Sequence, residues 1–314
     1  MKGFLVICSV FVSTIVHAQD FTLIPIGVRG GVDEANLSAY LIGSGSKENY
    51  LSLDAGTVFS GVRTYLKKEN KTEEPSQFVK DKIKGYFISH PHFDHSSGLI
   101  INSPEDSPKY LYGSKNTLDA FKNHVFRWDV WGNFTNEGDK PALGKYTYEN
   151  LEFGTWFEVK NTDLKAKIFP LSHVGENLSS AILLKNSKDA YFLYLGDTGA
   201  DRIEKSNQLK NLWKAIAPLI QENKLRGIAL ECSYANDQPD DKLFGHLTPK
   251  LLHEEMLVLQ NLTGKKALQK VKLIITHIKP KAGIVEKLNS ELQPLNDMIS
   301  WEIAEQGRKI TFSK

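Results

Sequence analysis

The run His90-Pro91-His92-Phe93-Asp94-His95 constrains this chain more than any other stretch. It follows the apolar, strand-like "GYFIS" (85–89), so three imidazoles and a carboxylate stand where a strand gives way to a loop and then to a helix. Loops at strand ends are where folds display functional groups. Along the extended part alternate residues share a face, which aims His90 and His92 at one point and leaves Asp94 and His95, past the turn, for a second. A lone histidine is usually a satisfied structural residue, but three with an aspartate in six positions make a metal-ligand set.

Two ions held by four residues would be under-coordinated, so this reading requires further donors at other strand ends. His173 closes "KIFPLSH" (167–173), Asp197 closes "AYFLYLGD" (190–197) and His277 closes "KLIITH" (272–277). Other β-rich runs are "FTLIPIG" (21–27), "SAYLIG" (38–43), "YLSLDAG" (50–56), "SAILLK" (180–185) and "RGIALE" (226–231). Several are apolar on both faces, as expected of strands covered on both sides. Helical patterns lie around Thr117–Phe126, Ile203–Gln221, Thr248–Leu262 and Ala282–Gln306, the last interrupted near Pro294. The charged segment "KKENKTEEPSQ" (67–77) reads as a solvated loop. Together these predict an α/β chain of two sheets faced by helices.

The H-x-H-x-D-H pattern with later His, Asp and His resembles that of the metallo-β-lactamase superfamily. The resemblance implies an αββα sandwich with a dinuclear site on one edge. Carried over by position, His90, His92 and His173 would hold one ion and Asp94, His95 and His277 the other, with Asp197 bridging. Such ligands suit zinc, and manganese or iron less closely. The flank "HPHFDHSSGLIINSP" (90–104) is similar to the signature of the class II 3',5'-cyclic-nucleotide phosphodiesterases, departing from it at the non-ligand positions Phe93 and Ser96. Further similarity lies in "GVRGGVDEANLSAYLI" (27–42), "LDAGT" (53–57), "HVFRWDVWGNF" (124–134), "YLGDTGAD" (194–201), "ECSY" (231–234) and "FGHLTPKLL" (244–252).

That resemblance implies hydrolysis of 3',5'-cyclic AMP, with cyclic GMP a second candidate, to the nucleoside 5'-monophosphate. Two ions would activate water and neutralise phosphoryl charge. The residues expected in catalysis are Asp94, His246 as proton donor or phosphate contact, and Glu231 orienting His246 or a ligand histidine. Trp128, Trp131 and Asn133 are expected to stack on the purine and bond its edge. Asp54 resembles a residue that supports the metal loops from beneath. Cys232 reads as a buried, apolar-like thiol, and His124 and His253 as structural. The rival readings are another hydrolase on this scaffold (a β-lactamase, lactonase or arylsulfatase) and a non-enzymatic exported zinc-binding protein.

Residues 1–18, "MKGFLVICSVFVSTIVHA", read as a signal peptide preceding a single domain over 19–314. Its apolar run of about 14 residues is shorter than the roughly 20 that span a bilayer. Cleavage predicts an exported protein, periplasmic in preference to secreted, with no membrane attachment. It also leaves Cys232 as the lone cysteine, so no internal disulfide forms. The 39 Lys and Arg, one of them in the leader, face 37 Asp and Glu, a balance that excludes nucleic acid polymers as partners. The expected partner is a small cyclic nucleotide, and a homodimer is left open.

Overall fold

The computed structural model describes residues 19–174 and 179–314, so the leader read over 1–18 lies outside the described residues. Six strands come first: β1 (Phe21–Gly27), β2 (Ala39–Ser44), β3 (Tyr50–Leu53), β4 (Ile83–Phe87), β5 (Lys109–Ser114) and β6 (Tyr146–Leu151). Seven more follow: β7 (Trp156–Val159), β8 (Leu164–Leu171), β9 (Ser179–Lys185), β10 (Tyr191–Leu195), β11 (Leu225–Glu231), β12 (Lys272–Thr276) and β13 (Ser300–Ile303). The last strand, β14 (Ile310–Phe312), returns to pair with β1. The sheet orders are β14-β1-β2-β3-β4-β5-β6 and β13-β12-β11-β10-β9-β8-β7.

Each sheet is antiparallel at one end and parallel at the other. β3 to β6 run parallel, as do β10 to β13. Side-chain alternation then sorts the core into layers. In β2, Tyr40 and Ile42 point between the sheets while Ala39 and Leu41 point outward. In β10, Phe192 and Tyr194 point between the sheets while Tyr191, Leu193 and Leu195 point outward. Both faces of these strands are buried, which is why they read as continuous apolar runs. Each fully buried Leu or Phe contributes roughly 1.5–3 kcal/mol.

Helices cover the outer faces. α1 (Phe59–Lys68), α2 (Pro75–Lys82), α3 (Ser97–Asn102) and α4 (Lys115–His124) lie on the first sheet, with Val62, Phe78, Leu99 and Phe121 packed on its outer core. The second sheet carries α5 (Asp201–Glu204), α6 (Gln208–Gln221), α7 (Pro249–Thr263), α8 (Lys265–Leu268) and α9 (Ile284–Glu291); Trp213, Met256 and Leu288 are among their buried contributions. The result is the αββα sandwich expected.

Four local expectations need correction. The helix over Ile203–Gln221 is broken at Lys205, which takes a left-handed φ of 52°, and the Asp201 carboxylate accepts the N–H groups of Leu209 and Lys210 at the start of α6. The pattern over Ala282–Gln306 is α-helical only over Ile284–Glu291; Pro294 stands in a short 3-10 helix, Gln293–Asp297, after which the chain extends into β13, which adds to β12 in parallel. The segment 67–77 is not all loop, since Lys68 ends α1 and Pro75 opens α2 at a position that needs no N–H donor. β5, β6 and β7 escape the sequence reading: "YTYENL" and "WFEV" mix exposed and buried positions, and "KYLYGS", although almost wholly buried, is opened by a lysine and carries polar tyrosine and serine side chains.

Candidate active site

One edge of the sandwich gathers the carboxyl ends of strands from both sheets. Asp54 follows β3, His90 to His95 follow β4, His173 follows β8, Asp197 follows β10, Glu231 ends β11 and His277 follows β12. The β4 loop turns through a short 3-10 helix, Phe93–His95, closed by a bond from His95 N–H to the His92 carbonyl, and then enters α3. Six of the chain's nine histidines come together here with Asp94, Asp197 and Glu231.

Asp197 is the centre of the cluster. Its Oδ2 lies 3.2 Å from His95 Nε2 and from His277 Nε2, 3.7 Å from His246 Nδ1, 3.8 Å from His90 Nε2 and 3.9 Å from His173 Nε2. Around it the donors form sets within 4.8 Å of one another: His90, His92 and His173; Asp94, His95 and His277; His90, His95 and Asp197; and Asp197, Glu231, His246 and His277. The sequence-predicted ligands are therefore brought together, as are His246 and Glu231.

A second ring of hydrogen bonds fixes which nitrogen each imidazole presents. His90 Nδ1 is 3.0 Å from Ser89 Oγ, His95 Nδ1 is 2.7 Å from Asp54, His173 Nδ1 is 2.9 Å from the Gly245 carbonyl and His277 Nδ1 is 2.9 Å from Ser233 Oγ. In all four, Nε2 is left for the centre. His92 is turned the other way, its Nδ1 lying 3.0 Å from His90 Nε2 and 3.4 Å from His173 Nε2. Asp54 is the strut beneath: fully buried, it accepts from Ser89 N–H, the Ser89 hydroxyl and the Tyr194 hydroxyl as well as holding His95. Glu231 plays the same part on the other side, holding His246 Nδ1 at 2.8 Å, the Ser233 hydroxyl at 2.6 Å and the N–H groups of Thr198 and Leu247. Two glycines permit the close approaches. A Cβ on Gly30 would lie 2.2 Å from the His277 ring, and one on Gly245, at φ 75°, would lie 2.7 Å from His173 Nδ1.

The electrostatics match ligation of a cation. Burial holds His90 well below the usual imidazole range, and holds His92 and His277 below it; His173 is pushed down to about 4. Burial opposes ionisation of Asp94 and Asp197, but bonds and charges from His277 and His95 outweigh it and keep both carboxylates ionised. His95 is the exception. Burial disfavours its charged form, yet it lies between Asp197 and Asp54 and those carboxylates raise it well above its ordinary value. Its buried Nε2 makes no hydrogen bond. Buried carboxylates, neutral imidazole nitrogens facing inward and one orphaned nitrogen fit a divalent metal, which would take over the countercharge that His95 supplies. His246 is also raised, because Glu231 and Asp197 outweigh the effect of its burial.

The aromatic segment behaves differently from expectation. Asn133 is fully buried, and its amide is committed within its own loop: the NH2 donates to the Glu137 and Asp139 carbonyls, and the oxygen accepts from Thr135 N–H and hydroxyl. It has no free edge to offer a base. Trp131 packs on the outer core of the first sheet and donates to Ser103 Oγ, and Trp128 donates to the Pro141 carbonyl. The Asn133 amide is thus spent on its own loop and the two indole N–H groups on local acceptors, while the Trp128 ring is half exposed. Residues the sequence reading passed over are Ser89, Tyr194, Ser233 and Lys279. For Ser89 and Lys279 the sequence signal is adjacency, one residue before His90 and two after His277, whereas Tyr194 and Ser233 lie in the family-like stretches 194–201 and 231–234 without being singled out there. Cys232 is buried, and burial raises its thiol well above the ordinary value, in keeping with a packing role.

Comparison with known proteins decides the family. The class-II cAMP phosphodiesterase model matches residues 18–299. The chain belongs to the class-II cAMP phosphodiesterase family. A 3',5'-cyclic-nucleotide phosphodiesterase of Aliivibrio fischeri is 37% identical over 311 residues, covering 94% of each chain. A probable 3',5'-cyclic-nucleotide phosphodiesterase of Yersinia pestis is 38% identical over 303 residues, covering 91% of this chain and 88% of the relative. In three dimensions, unliganded yeast PDE1 superposes with a TM-score of 0.80 at 21% identity over 94% of this chain and 99% of that one. The metallo-β-lactamase fold protein YhfI of Bacillus subtilis gives 0.62 at 14% identity over 93% and 99%. Both solved structures share the fold of this member of the family.

Proposed function

We propose that the chain is an exported, periplasmic phosphodiesterase that hydrolyses 3',5'-cyclic AMP, and cyclic GMP as a second substrate, to the 5'-monophosphate. The observation that carries the reading is Asp197 Oδ2 with five imidazole nitrogens within 3.9 Å, in a chain of this family. Two ions, zinc by the character of the ligands, would be held by His90, His92 and His173 and by Asp94, His95 and His277, with Asp197 between them. Bound there, they would supply Lewis acidity to the phosphodiester and to the attacking water.

The chain's own residues do the rest. Asp94 lies on the more open side of the cluster, and one of its oxygens accepts from Gly31 N–H at 2.9 Å; it is placed to hold the attacking water by accepting its hydrogen bond. His246 is held through Nδ1 by Glu231, which leaves its Nε2 to donate a proton to the departing 3' oxygen. Glu231 is thereby a positioning residue. Replacing His246→Ala is expected to lower kcat by about 10²-fold with much less change in KM, the size of general acid catalysis. Steady-state kinetics on cyclic AMP checks this, and wild-type turnover would remove the acid role.

Export is supported by the leader pattern over 1–18 and by a family match that begins at residue 18. Substrate class is tested by incubating metal-loaded protein with cyclic AMP, a β-lactam and an aryl sulfate. Turnover of cyclic AMP to 5'-AMP is expected. Turnover confined to either of the others would reassign the chain to another hydrolase on this scaffold.

A further inference from the structure

A cavity of about 320 Å³ opens beside the cluster, walled by segments 233–238 and 279–287. That volume is within the roughly 300–1,000 Å³ of ordinary ligand pockets. Three contacts join it to the cluster. Ser233 Oγ touches His277 Nδ1 at 2.9 Å, the Tyr234 ring stands 5.8 Å from the His246 ring, and Lys279 Nζ is 3.8 Å from Asp94 Oδ2. Among the described residues, Lys279 is the one lysine or arginine within 4.0 Å of the carboxylates of Asp54, Asp94, Asp197 or Glu231. The half-buried Tyr234 has no hydrogen bond to its hydroxyl among the described residues, while its backbone is fixed by a bond from its N–H to the Leu247 carbonyl. The Lys279 backbone is fixed likewise to the Ser233 carbonyl, so the two walls are tied to each other.

We propose that this cavity is the nucleoside subsite, with the Tyr234 ring stacking on the base and the Lys279 ammonium holding a phosphate oxygen. The inference rests on the phosphodiesterase reading above and assigns the base to a different wall from the Trp128 to Asn133 segment. A cyclic nucleotide whose phosphorus sits at the cluster must project its base away from the buried strand ends, and Lys279, which lines this cavity, stands 3.8 Å from Asp94 Oδ2. A lysine suits a phosphate as a compact point charge. An aromatic face accepts any purine, because stacking does not read the base edge. On the far wall Asp237 is paired with Lys287 at 2.8 Å, and Lys281 adds a second positive charge to the lining beside Lys279.

The test compares KM for cyclic AMP with KM for ribose 3',5'-cyclic phosphate, which has the same reacting ring and no base. Tyr234→Ala is expected to reduce the preference for cyclic AMP by roughly tenfold, the scale of one base–aromatic stack, chiefly through KM, and Tyr234→Phe to restore it. Ala282→Trp, at an exposed position on the cavity wall, should reduce it similarly without touching the core, which keeps the proposal open to refutation if Tyr234→Ala does not fold. Lys279→Ala should raise KM for both substrates, with partial recovery in Lys279→Arg. Calorimetric binding of adenosine 5'-monophosphate should weaken in parallel, independently of turnover. Wild-type protein that hydrolyses cyclic AMP, alongside Tyr234→Ala and Ala282→Trp variants with unchanged preference, would overturn the subsite alone. Wild-type protein that leaves cyclic AMP intact would overturn the phosphodiesterase reading and this inference with it.

Discussion

Replacing Asp197→Asn is expected to lower kcat/KM for cyclic AMP by on the order of 10³-fold or more and to reduce the metal retained after dialysis. The side chain keeps its shape, so the change isolates one charge. That charge faces nitrogens of His90, His95, His173, His246 and His277 within 3.9 Å, and an amide in its place would put an N–H or a weaker oxygen at the point where all five converge. A metal contributes several kcal/mol of transition-state stabilisation, and each 1.36 kcal/mol is a factor of ten in rate. Elemental analysis of purified protein alongside kinetics separates loss of metal from loss of chemistry. A variant with normal metal content and near-normal turnover would show that Asp197 is not the shared ligand.

Replacing Asp54→Ala has its largest effect on stability. Asp54 is fully buried and accepts four hydrogen bonds, from Ser89 N–H and hydroxyl, His95 Nδ1 and Tyr194 hydroxyl. Removing it leaves those donors in the interior without a partner, and losing one member of a buried charged set costs roughly 3–5 kcal/mol. Chemical denaturation of the metal-free protein measures this without the added stabilisation of a bound ligand. Because His95 and, through Ser89, His90 lose their supports, metal affinity should also fall about 10–100-fold. An Asp54→Ala protein as stable as the wild type would mean that a neighbouring group replaces the acceptor.

The cluster was legible in the sequence because its ligands obey local rules. Four of them lie within six residues, and His173, Asp197 and His277 each stand just beyond a recognisable apolar strand; strand patterning marked them as strand-end residues, and the family resemblance implied that those ends share one edge. Their orientation was not legible. That depends on Ser89, Tyr194 and Ser233, hydroxyl residues of a type common throughout any chain, which acquire meaning only when two sheets bring Asp54 beside Tyr194 and Ser233 beside His277. In the aromatic segment the Asn133 amide was the misleading part: an Asn looks free to bond a base edge until the fold commits its amide to its own loop. The cavity beside Tyr234 is built from two segments distant in sequence, and the family-like stretch 231–234 that enters one of them does not reveal the other. β13 and β14, at four and three residues, contain too few periods for alternation to outweigh the helical pattern that precedes them.

Cleavage of a cyclic phosphodiester at the His/Asp cluster is proposed to depend on metal bound there. The most direct test is to follow 5'-AMP formation from 3',5'-cyclic AMP by the purified protein before chelation, after chelation and after zinc is restored. 5'-AMP is the expected nucleotide product, with its formation lost on chelation and recovered with zinc. Undiminished hydrolysis by the chelated protein, or equal hydrolysis by the Asp197→Asn variant, would contradict that dependence.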